Sequence, residues 1–430
     1  IDDDFSKEVF DLYIKRLDYS KRYFTQSDIA MLKGFETKID DQVREGNYDF
    51  FAKSEDVFNQ RMAMVQGFYK EILTQPFDFT ENETIELDAD EMNWAKDEKE
   101  LKERWRKSLK YQTMSRLETA IDLQKSEAEE DPDAEKKTMD EMEQDARLKV
   151  MKTFDDWSKR MSKIDEDDRR SVFLNAITST YDPHTNYYPP KDKENFDIQM
   201  SGQLEGIGAT LQEKDGYIKV AAIVPGSASY RQGELAEDDL ILKVGQGSKE
   251  AVDIVDMRLD DAVKLIRGKK GTEVRLTVKK VDGSTKVIPI IRDLVILEET
   301  FARSAVIKNE YSKKGIGYIK LPKFYADFQN KNGRSCANDV RIELEKLKGE
   351  GIDGVVLDLR NNGGGSLMDV VEMAGLFIEK GPIVQVRSRY GAAQVLDDND
   401  SRVVYDLSLI HISEPTRPLY ISYAVFCLKK

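Results

Sequence analysis

The sequence predicts a multidomain α+β protein, because three kinds of pattern follow one another along its 430 residues. To about residue 180, apolar residues recur at helical spacing and prolines and glycines are sparse. From about residue 200, short β-branched runs are bounded by Gly, Pro and Asp. From about residue 300, strand and helix patterns alternate. A chain of this length exceeds one ordinary hydrophobic core, so two or three domains are expected.

The composition excludes several classes of protein. Hydrophobic residues make up 40% of the chain and charged residues 34%, which is the balance of a globular protein. The net charge of −15 argues against a nucleic-acid binder, which needs a basic surface. No apolar run approaches the roughly 20 residues of a transmembrane segment. Two histidines and two cysteines supply almost no zinc ligands and no disulfide framework, so no metal site is predicted.

The first part of the chain is predicted to be helical. Phe10, Tyr13, Ile14 and Leu17 share one helix face, and similar spacing recurs in the stretch VFNQRMAMVQGFYKEIL. The nearly all-charged stretch 125–145 is interpreted as a solvated helix pair or a loop broken near Pro132.

Turn and linker residues follow in YDPHTNYYPPKDKENF, residues 181–196. His184 lies in this turn, where a structural hydrogen bond is a better interpretation than a catalytic base.

The β-rich part contains one helical stretch, RLDDAVKLIRG, and a loop, LEGIGATL, at residues 204–211. Gly206 and Gly208 free the backbone, so that successive N–H groups can point at one spot. A peptide carboxylate fits such a nest, and the peptide then adds to the sheet as a strand. Two glycines alone are weak evidence for a carboxylate-binding loop, because most such pairs belong to turns or bulges. Flanked by VPGSAS, GELAEDDLILKVG and RGKKGTEVRLTV, the loop resembles the carboxylate-binding loop of a PDZ domain.

The PDZ resemblance implies a set of substrate-binding residues. Val263 and Ile266, on one face of the helical stretch, would line the pocket for the last side chain of the peptide. The whole set implied for substrate binding is Leu204, Gly206, Ile207, Gly208, Val263 and Ile266.

The third part is predicted to be a β-α-β-α-β layer. GIGYIKL reads as a strand, GVVLDL as a buried parallel strand and PIVQV as a further strand, with helices CANDVRIELEKL and SLMDVVEMAGLFI between them.

The glycine-rich stretch VVLDLRNNGGGSL, residues 355–367, admits three interpretations. A phosphate loop would need a lysine after the glycines, and none follows before Lys380. A G-x-S-x-G nucleophile turn fails because Met368 takes the last position, and Ser366 is better read as a helix N-cap. An oxyanion hole fits, because backbone N–H groups at a strand-to-helix turn can donate to a developing negative oxygen. Asp358 and Arg360 either form an ion pair or are ordinary charges at the end of a strand, and the sequence favours neither interpretation over the other.

Several stretches together resemble the carboxy-terminal processing peptidases, also called tail-specific proteases. They are FDLYIKRLDYSKRYFTQSDI, LKERWRKSLK, the linker into LEGIGA, GYIKLPKFYADF and VVLDLRNNGGGSL, and the resemblance covers nearly all of residues 1–406. The segment GYIKLPKFYADF is most similar to the corresponding segment of family members from Bacteroidetes-type bacteria.

The resemblance implies a periplasmic serine endopeptidase without a cofactor. It would bind protein or peptide substrates with apolar free C-termini through the PDZ domain and cleave them with a Ser/Lys dyad. The resemblance also implies that an adaptor lipoprotein is a partner. The matching glycine-rich loop of the family supplies an oxyanion donor, which makes Gly363 and Gly364 the candidates here.

Both ends of the chain bear on the interpretation. The start at Ile1 instead of Met predicts a cut N-terminus, with a lost export signal as an open alternative. At the other end, LSLIHISEPTR, residues 407–417, resembles a translated sequencing-library adapter. A real strand pair with a basic end is the alternative. In the family the dyad lies downstream of the glycine-rich loop, so we expect both dyad residues to be absent from this chain.

Four segments are therefore predicted: a helical N-terminal domain (1–182), a PDZ-like domain (196–294), an incomplete α/β serine protease domain (300–406) and a non-native tail (407–430). The predicted function is a serine endopeptidase, inactive as this fragment. The alternative is a catalytically dead, PDZ-containing peptide-binding protein. A more distant alternative, a nucleotide-binding α/β protein, predicts that ATP protects against thermal unfolding.

Overall fold

The computed structural model describes residues 1–131, 136–309, 312–330, 332–387, 391–406 and 409–412. The chain divides into two compact units, Ile1–Pro190 and Lys191–Lys430. Within the described ranges, no helix is both long and apolar enough to cross a membrane.

The first unit is helical, as its apolar spacing predicts. Its helices are α1 (Asp3–Leu17), α2 (Gln26–Leu32), α3 (Ile39–Glu45), α4 (Asp49–Ile72), α5 (Glu98–Glu130), α6 (Met139–Ser162) and α7 (Glu166–Tyr181), with a 3₁₀ turn at Lys33–Phe35. Side chains cap several helix starts. Thr25, Thr138 and Asp165 each form a reciprocal capping box, which satisfies backbone N–H groups that have no partner inside the helix.

Two large apolar clusters and a smaller one around Leu117 and Met142 hold this unit together. One contains Phe10 and Tyr13 of the predicted face, packed with Phe50 and Phe173. The other lies around Trp105. The charged stretch confirms the interpretation of two helices with a break: α5 ends at Glu130 and α6 begins at Met139. Pro132 itself lies outside the described residues.

Asp18 ends α1 and is the buried carboxylate on which the next turn depends. It accepts backbone N–H groups from Arg22, Tyr23 and Phe24 at 2.8 to 3.0 Å. Burial raises the pKa of Asp18 from 3.8 to about 6, against the opposing effect of these donors. The native state therefore holds its proton more tightly than the unfolded chain does.

We expect the stability of the first unit to depend on pH through Asp18. The contribution is fully present below pH 3.8 and is lost as pH rises through about 6, on the order of 1–3 kcal/mol in total. Urea unfolding from pH 4 to 7 tests this by fluorescence, because all three tryptophans lie in this unit. Asp18→Asn should remove this part of the slope, and an unchanged slope would contradict the assignment.

The second unit begins with α8 (Pro190–Ser201) and a β-rich module. Its elements are β1 (Gln203–Gly206), β2 (Ala209–Lys214), β3 (Tyr217–Ile223), α9 (Ala228–Gln232), β4 (Leu240–Gln246), β5 (Val252–Asp253), α10 (Leu259–Ile266), β6 (Glu273–Lys279), β7 (Thr285–Ile291) and β8 (Asp293–Ile296). The main sheet runs in the order β2-β3-β4-β6-β7, so β2 is an edge strand. β5 pairs with β4, and β1 pairs with β8 as a separate antiparallel ribbon.

The α/β part follows a 3₁₀ turn at Glu298–Thr300. It comprises β9 (Arg303–Asn309), β10 (Ser312–Lys320), α11 (Cys336–Gly349), β11 (Gly354–Asp358), α12 (Leu367–Gly375), β12 (Gly381–Val386), β13 (Gln394–Asp398) and β14 (Leu409–Ile412). β10 and β11 are parallel, as predicted, and β9 runs antiparallel to β10. Ile319, Leu344 and Leu357 lie in the core between sheet and helices.

The prediction that PIVQV forms the last strand of the α/β layer was wrong about its sheet. PIVQV falls in β12, which pairs antiparallel with β13 in a separate two-stranded sheet. The position beside β11 belongs instead to β14, which pairs with it in parallel. The physical reason is exposure: Pro382, Gln385 and Val386 are exposed, whereas a strand inside a parallel sheet is buried on both faces.

Candidate functional site

A groove of about 320 Å³ lies between β2 and α10 in the β-rich module. The sequence-predicted residues Leu204, Ile207 and Gly208 line it from the loop side. Val263 and Ile266 line it from the helix side, as predicted. Among the described residues, no strand pairs with the edge of β2 that faces away from β3, so a peptide can extend the sheet there.

Gly208 shapes the loop at the end of this groove. Its φ is +76°, and a Cβ added to it would lie 2.1 Å from Ser227 Cβ. Ser227 Oγ donates to the Gly208 carbonyl at 3.1 Å, and Ser229 N–H donates to the Ile207 carbonyl at 2.8 Å. In the part of the chain that the structure describes, the N–H groups of Ile207 and Gly208 have no hydrogen-bond partner. Two adjacent donors are therefore available to an anion.

Gly206 differs from the other predicted loop residues. It is the last residue of β1, pairs with Asp293 and does not line the groove. A Cβ there would lie 3.8 Å from Arg267 Cγ. The glycine therefore lies beside the backbone and side chain of Arg267, at the end of α10.

Three polar groups near this end of the groove were not among the predicted site residues. Arg267 donates to Asn195 Oδ1 at 3.0 Å, and its NH1 lies 3.6 Å from Glu194 Oε1. All three residues line the groove, two of them from α8. Only the RGKKG motif could have pointed to Arg267, and α8 lacks any comparable signal.

Arg292 lies behind α10 and is 3% exposed. Its guanidinium donates to the Ile266 and Leu265 carbonyls at 2.8 and 3.0 Å, and to side-chain oxygens of Gln246 and Thr272. Burial lowers the pKa of Arg292 from its ordinary value. The cation thus caps the carboxyl end of α10, where helix carbonyls lack partners within the helix.

The glycine-rich loop begins at the end of β11 with an ion pair. Arg360 donates to Asp358 through Nε at 2.9 Å and through NH2 at 2.7 Å, and the Tyr318 hydroxyl donates to the same carboxylate. These bonds, the one from Arg360 foremost, hold the pKa of Asp358 well below its usual range. The two open interpretations of these charges are thereby decided in favour of the ion pair.

Hydrogen bonds fix the loop on several sides. The Asn362 side chain accepts from Gly364 N–H at 2.8 Å and donates to the Leu321 carbonyl at 3.0 Å. Phe324 N–H donates to the Gly364 carbonyl at 3.0 Å, and Ser366 N–H donates to the Phe324 carbonyl at 2.8 Å. The loop therefore has one defined conformation, with the segment after β10 as its support.

Two further sequence interpretations concern single side chains. Ser366 is confirmed as the N-cap of α12, since its Oγ accepts from Asp369 N–H at 3.2 Å. His184 is exposed, and only its backbone N–H bonds, to Asp182 Oδ1 at 3.0 Å. Among the described residues its imidazole forms no hydrogen bond, so the structural hydrogen bond at His184 is made by its backbone.

A larger cavity, of about 940 Å³, lies in the first unit between α5 and the extended segment 84–93. The segment is held at one end by Glu83, which accepts from Arg106 and Lys110, and at the other by Lys21, which donates to the Ala89 carbonyl. No residue predicted as functional lines it, and the mixed charges of its lining indicate no class of ligand.

Three family models match the chain. They describe the tail-specific protease N-terminal domain over residues 1–191, the PDZ domain over 196–279 and peptidase family S41 over 315–421. A tail-specific protease of Haemophilus influenzae is 33% identical over 407 residues, which is 94% of this chain and 54% of that protein. The carboxy-terminal processing protease CtpA of Bacillus subtilis is 30% identical over 241 residues, covering 56% and 47% respectively.

One solved structure is the PDZ domain of a carboxy-terminal protease from Vibrio cholerae in complex with a peptide. It is 42% identical to this chain over 22% of the chain and 97% of that domain, with a TM-score of 0.21. The chain spans about half the length of the two relatives named above. Three consecutive domain matches and these relatives show that the chain belongs to the carboxy-terminal processing, or tail-specific, peptidase family.

Proposed function

We propose that the chain is the recognition part and the oxyanion-bearing part of a serine endopeptidase that captures substrate C-termini. The observation that carries the recognition half is the pair of unbonded N–H groups of Ile207 and Gly208 beside an apolar groove. We keep the domain boundaries 1–182, 196–294 and 300–406 and the non-native tail 407–430 as part of this proposal. Residues 407–408 and 413–430 lie outside the described residues.

In this proposal the groove binds the last residues of a peptide. The terminal carboxylate accepts from the Ile207 and Gly208 N–H groups. The peptide backbone then pairs with the free edge of β2, and the last side chain enters the pocket formed by Val263 and Ile266. An apolar side chain fits because Ile207 and Ile266 are buried apolar residues of the module core. Gly206 is no longer needed as a direct contact.

The catalytic half rests on the glycine-rich loop. A serine hydroxyl attacks the peptide carbonyl while a neutral lysine takes its proton, and the carbonyl oxygen becomes an oxyanion. The proton returns to the leaving amine, and water hydrolyses the acyl-serine. The family resemblance places both dyad residues after the loop, so this chain contributes the N–H donors, with Gly363 and Gly364 as candidates. The chain as printed is then inactive, which also suits the alternative of a catalytically dead peptide-binding protein.

The proposed setting of the protein follows from the family. A periplasmic location and an adaptor lipoprotein as partner are predictions of the resemblance. The curated relatives named above are bacterial proteases, and protein substrates with apolar C-termini are the proposed partners of the groove.

Peptide binding to the chain tests the recognition half. A labelled peptide ending in a free apolar carboxylate should bind, and its amidated form should bind at least about 10-fold more weakly, because the amide lacks the charge that the loop N–H groups bind. Fluorescence anisotropy measures both affinities. Equal binding of the two forms would reject the groove as a carboxylate site. Protection of the chain by ATP in thermal unfolding would instead support the nucleotide-binding alternative.

A matched pair of variants localises the binding. Val263→Asp puts a charge in the apolar pocket of the groove and should abolish binding of the free peptide. Val281→Asp makes the same change at a site that is 76% exposed and outside the groove, and should leave binding unchanged. Full-length protein that binds peptides but never cleaves them would favour the catalytically dead alternative.

A further inference from the structure

We infer that Asn362 is a site of spontaneous deamidation, in which the Gly363 backbone nitrogen attacks the Asn362 side-chain amide. This modification does not depend on the proposed peptidase function. The juxtaposition that carries it is the Asn362 side chain, which its bond to the Gly364 N–H folds back over the Gly363 nitrogen. Among the described residues, that nitrogen has no acceptor of its own for its N–H.

The sequence contains the Asn-Gly pair twice, as Asn332-Gly333 and as Asn362-Gly363. An asparagine followed by glycine can close a five-membered succinimide ring, because glycine has no Cβ to hinder attack by its own nitrogen. Both pairs therefore have the residue types that the reaction needs. The structure distinguishes them.

Two hydrogen bonds hold the Asn362 amide in one orientation. Its Oδ1 accepts from the Gly364 N–H at 2.8 Å, and its Nδ2 donates to the Leu321 carbonyl at 3.0 Å. The ring closed by the first bond contains both Asn362 Cγ and the Gly363 nitrogen, so the side chain lies over the peptide group with which it reacts. Holding two reacting groups together in advance lowers the entropic part of the barrier.

The Gly364 N–H also acts on the charge that the reaction develops. When the Gly363 nitrogen adds to Cγ, negative charge forms on Asn362 Oδ1, and a donor already aimed at that oxygen stabilises it. The attacking nitrogen must lose its proton as well. Gly363 is exposed and its N–H makes no hydrogen bond among the described residues, so hydroxide can reach this proton.

The other pair has a different geometry. The Gly333 N–H donates to the Asn330 carbonyl at 2.8 Å, and attack by this nitrogen would break that bond. Asn332 bonds through its backbone N–H to Asn330 Oδ1 at 3.1 Å. In the described part of the chain, no hydrogen bond folds the Asn332 side chain back over Gly333. We therefore expect Asn362 to deamidate at least about 5-fold faster, which is the cost of giving up one ordinary hydrogen bond.

The reaction consumes only water and releases ammonia. The bond from the Gly363 nitrogen to Asn362 Cγ forms, the Cγ–Nδ2 bond breaks, and Nδ2 leaves as ammonia with the proton that the Gly363 nitrogen has lost. Water then opens the succinimide, at Cγ to give aspartate or at the main-chain carbonyl to give isoaspartate. Both products lack the Nδ2 donor, so the bond to Leu321 that supports the glycine-rich loop is lost.

Timed incubation of the chain at mildly alkaline pH tests the inference. Peptide mapping by mass spectrometry measures asparagine, aspartate and isoaspartate at both pairs in the same sample. The native chain should lose Asn362 at least about 5-fold faster than Asn332. In guanidinium chloride, where the folded geometry is gone, the two rates should agree within about 2-fold. A native rate at Asn362 equal to or below the rate at Asn332 would overturn the inference.

Gly363→Ala tests the identity of the attacking nitrogen. Gly363 has no positive φ, and nothing lies within 4 Å of an added Cβ, so the fold accepts alanine. The new Cβ hinders the attacking nitrogen and should slow deamidation of Asn362 about 10-fold or more, while Asn332 keeps its rate as the internal control. An unchanged rate at Asn362 would mean direct hydrolysis of the side chain without ring closure, and would also contradict the inference.

Discussion

Replacing Gly208 with alanine is expected to abolish peptide binding and to destabilise the β-rich module by at least about 2 kcal/mol. Two effects add. The backbone φ of +76° is costly for a residue with a side chain, and the new Cβ would lie 2.1 Å from Ser227 Cβ. Relief of the clash must move the loop or Ser227, whose Oγ bonds to the Gly208 carbonyl. The Ile207 and Gly208 N–H groups would then no longer point at one anion.

Anisotropy with the free-carboxylate peptide measures the loss of binding, and hydrogen exchange of residues 204–229 measures the loss of stability. Gly226→Ala is the matched control, because its φ is +75° and nothing lies within 4 Å of an added Cβ. Gly226→Ala should lower the stability of the module by only about 1 kcal/mol, because of the backbone conformation, and should still bind the peptide. If Gly208→Ala binds peptide as the wild type does, the nest formed by this loop is not the carboxylate site.

Replacing Gly365 with alanine is the second change with a large expected effect. The added Cβ would lie 2.1 Å from the Phe324 carbonyl oxygen, which belongs to a backbone and cannot rotate away. The contact must open, and with it the bond from Ser366 N–H to that carbonyl. We expect a loss of about 100-fold or more in kcat/KM of the full-length enzyme, with about 2 kcal/mol of stability.

Gly351→Ala separates loop geometry from general strain. Gly351 follows α11 with a φ of +71° and no atom within 4 Å of an added Cβ. It should therefore cost stability without a specific loss of activity. Steady-state kinetics and thermal unfolding of both variants make the comparison. Equal activity loss in both would show that the effect arises from backbone strain in general, and full activity of Gly365→Ala would remove the loop from the mechanism.

Much of this arrangement was predictable because it depends on local chemistry. The helical face around Phe10, the N-cap at Ser366 and the buried parallel strand 354–358 each follow from spacing or residue type within a few positions. The groove residues Val263 and Ile266 were predicted through a motif whose geometry is shared by its family. The helical face, the N-cap and the buried strand are confirmed by the structure, whereas the binding role of Val263 and Ile266 stays a prediction.

The errors and omissions all involve contacts that are distant in sequence. PIVQV reads as a strand, but its choice of partner depends on which faces remain exposed, and sequence periodicity does not encode that. The three loop glycines look equivalent in GGG, and only φ and the nearest atoms distinguish them. Asn362 resembles any loop asparagine until Leu321, 41 residues earlier, is placed beside it. Arg292, likewise, gains its role only when β7 and α10 are brought together.

The buried guanidinium of Arg292 has a consequence for the electric field in the groove. A helix carries partial negative charge at its carboxyl end, and α10 ends at Ile266, where a peptide carboxylate is proposed to bind nearby. Left bare, those carbonyls would repel the ligand. Arg292 bonds to two of them from behind and adds a full positive charge that has no carboxylate partner among the described residues. The module thereby offsets the negative helix end with a cation held behind the helix, in addition to Arg267, which lines the groove itself.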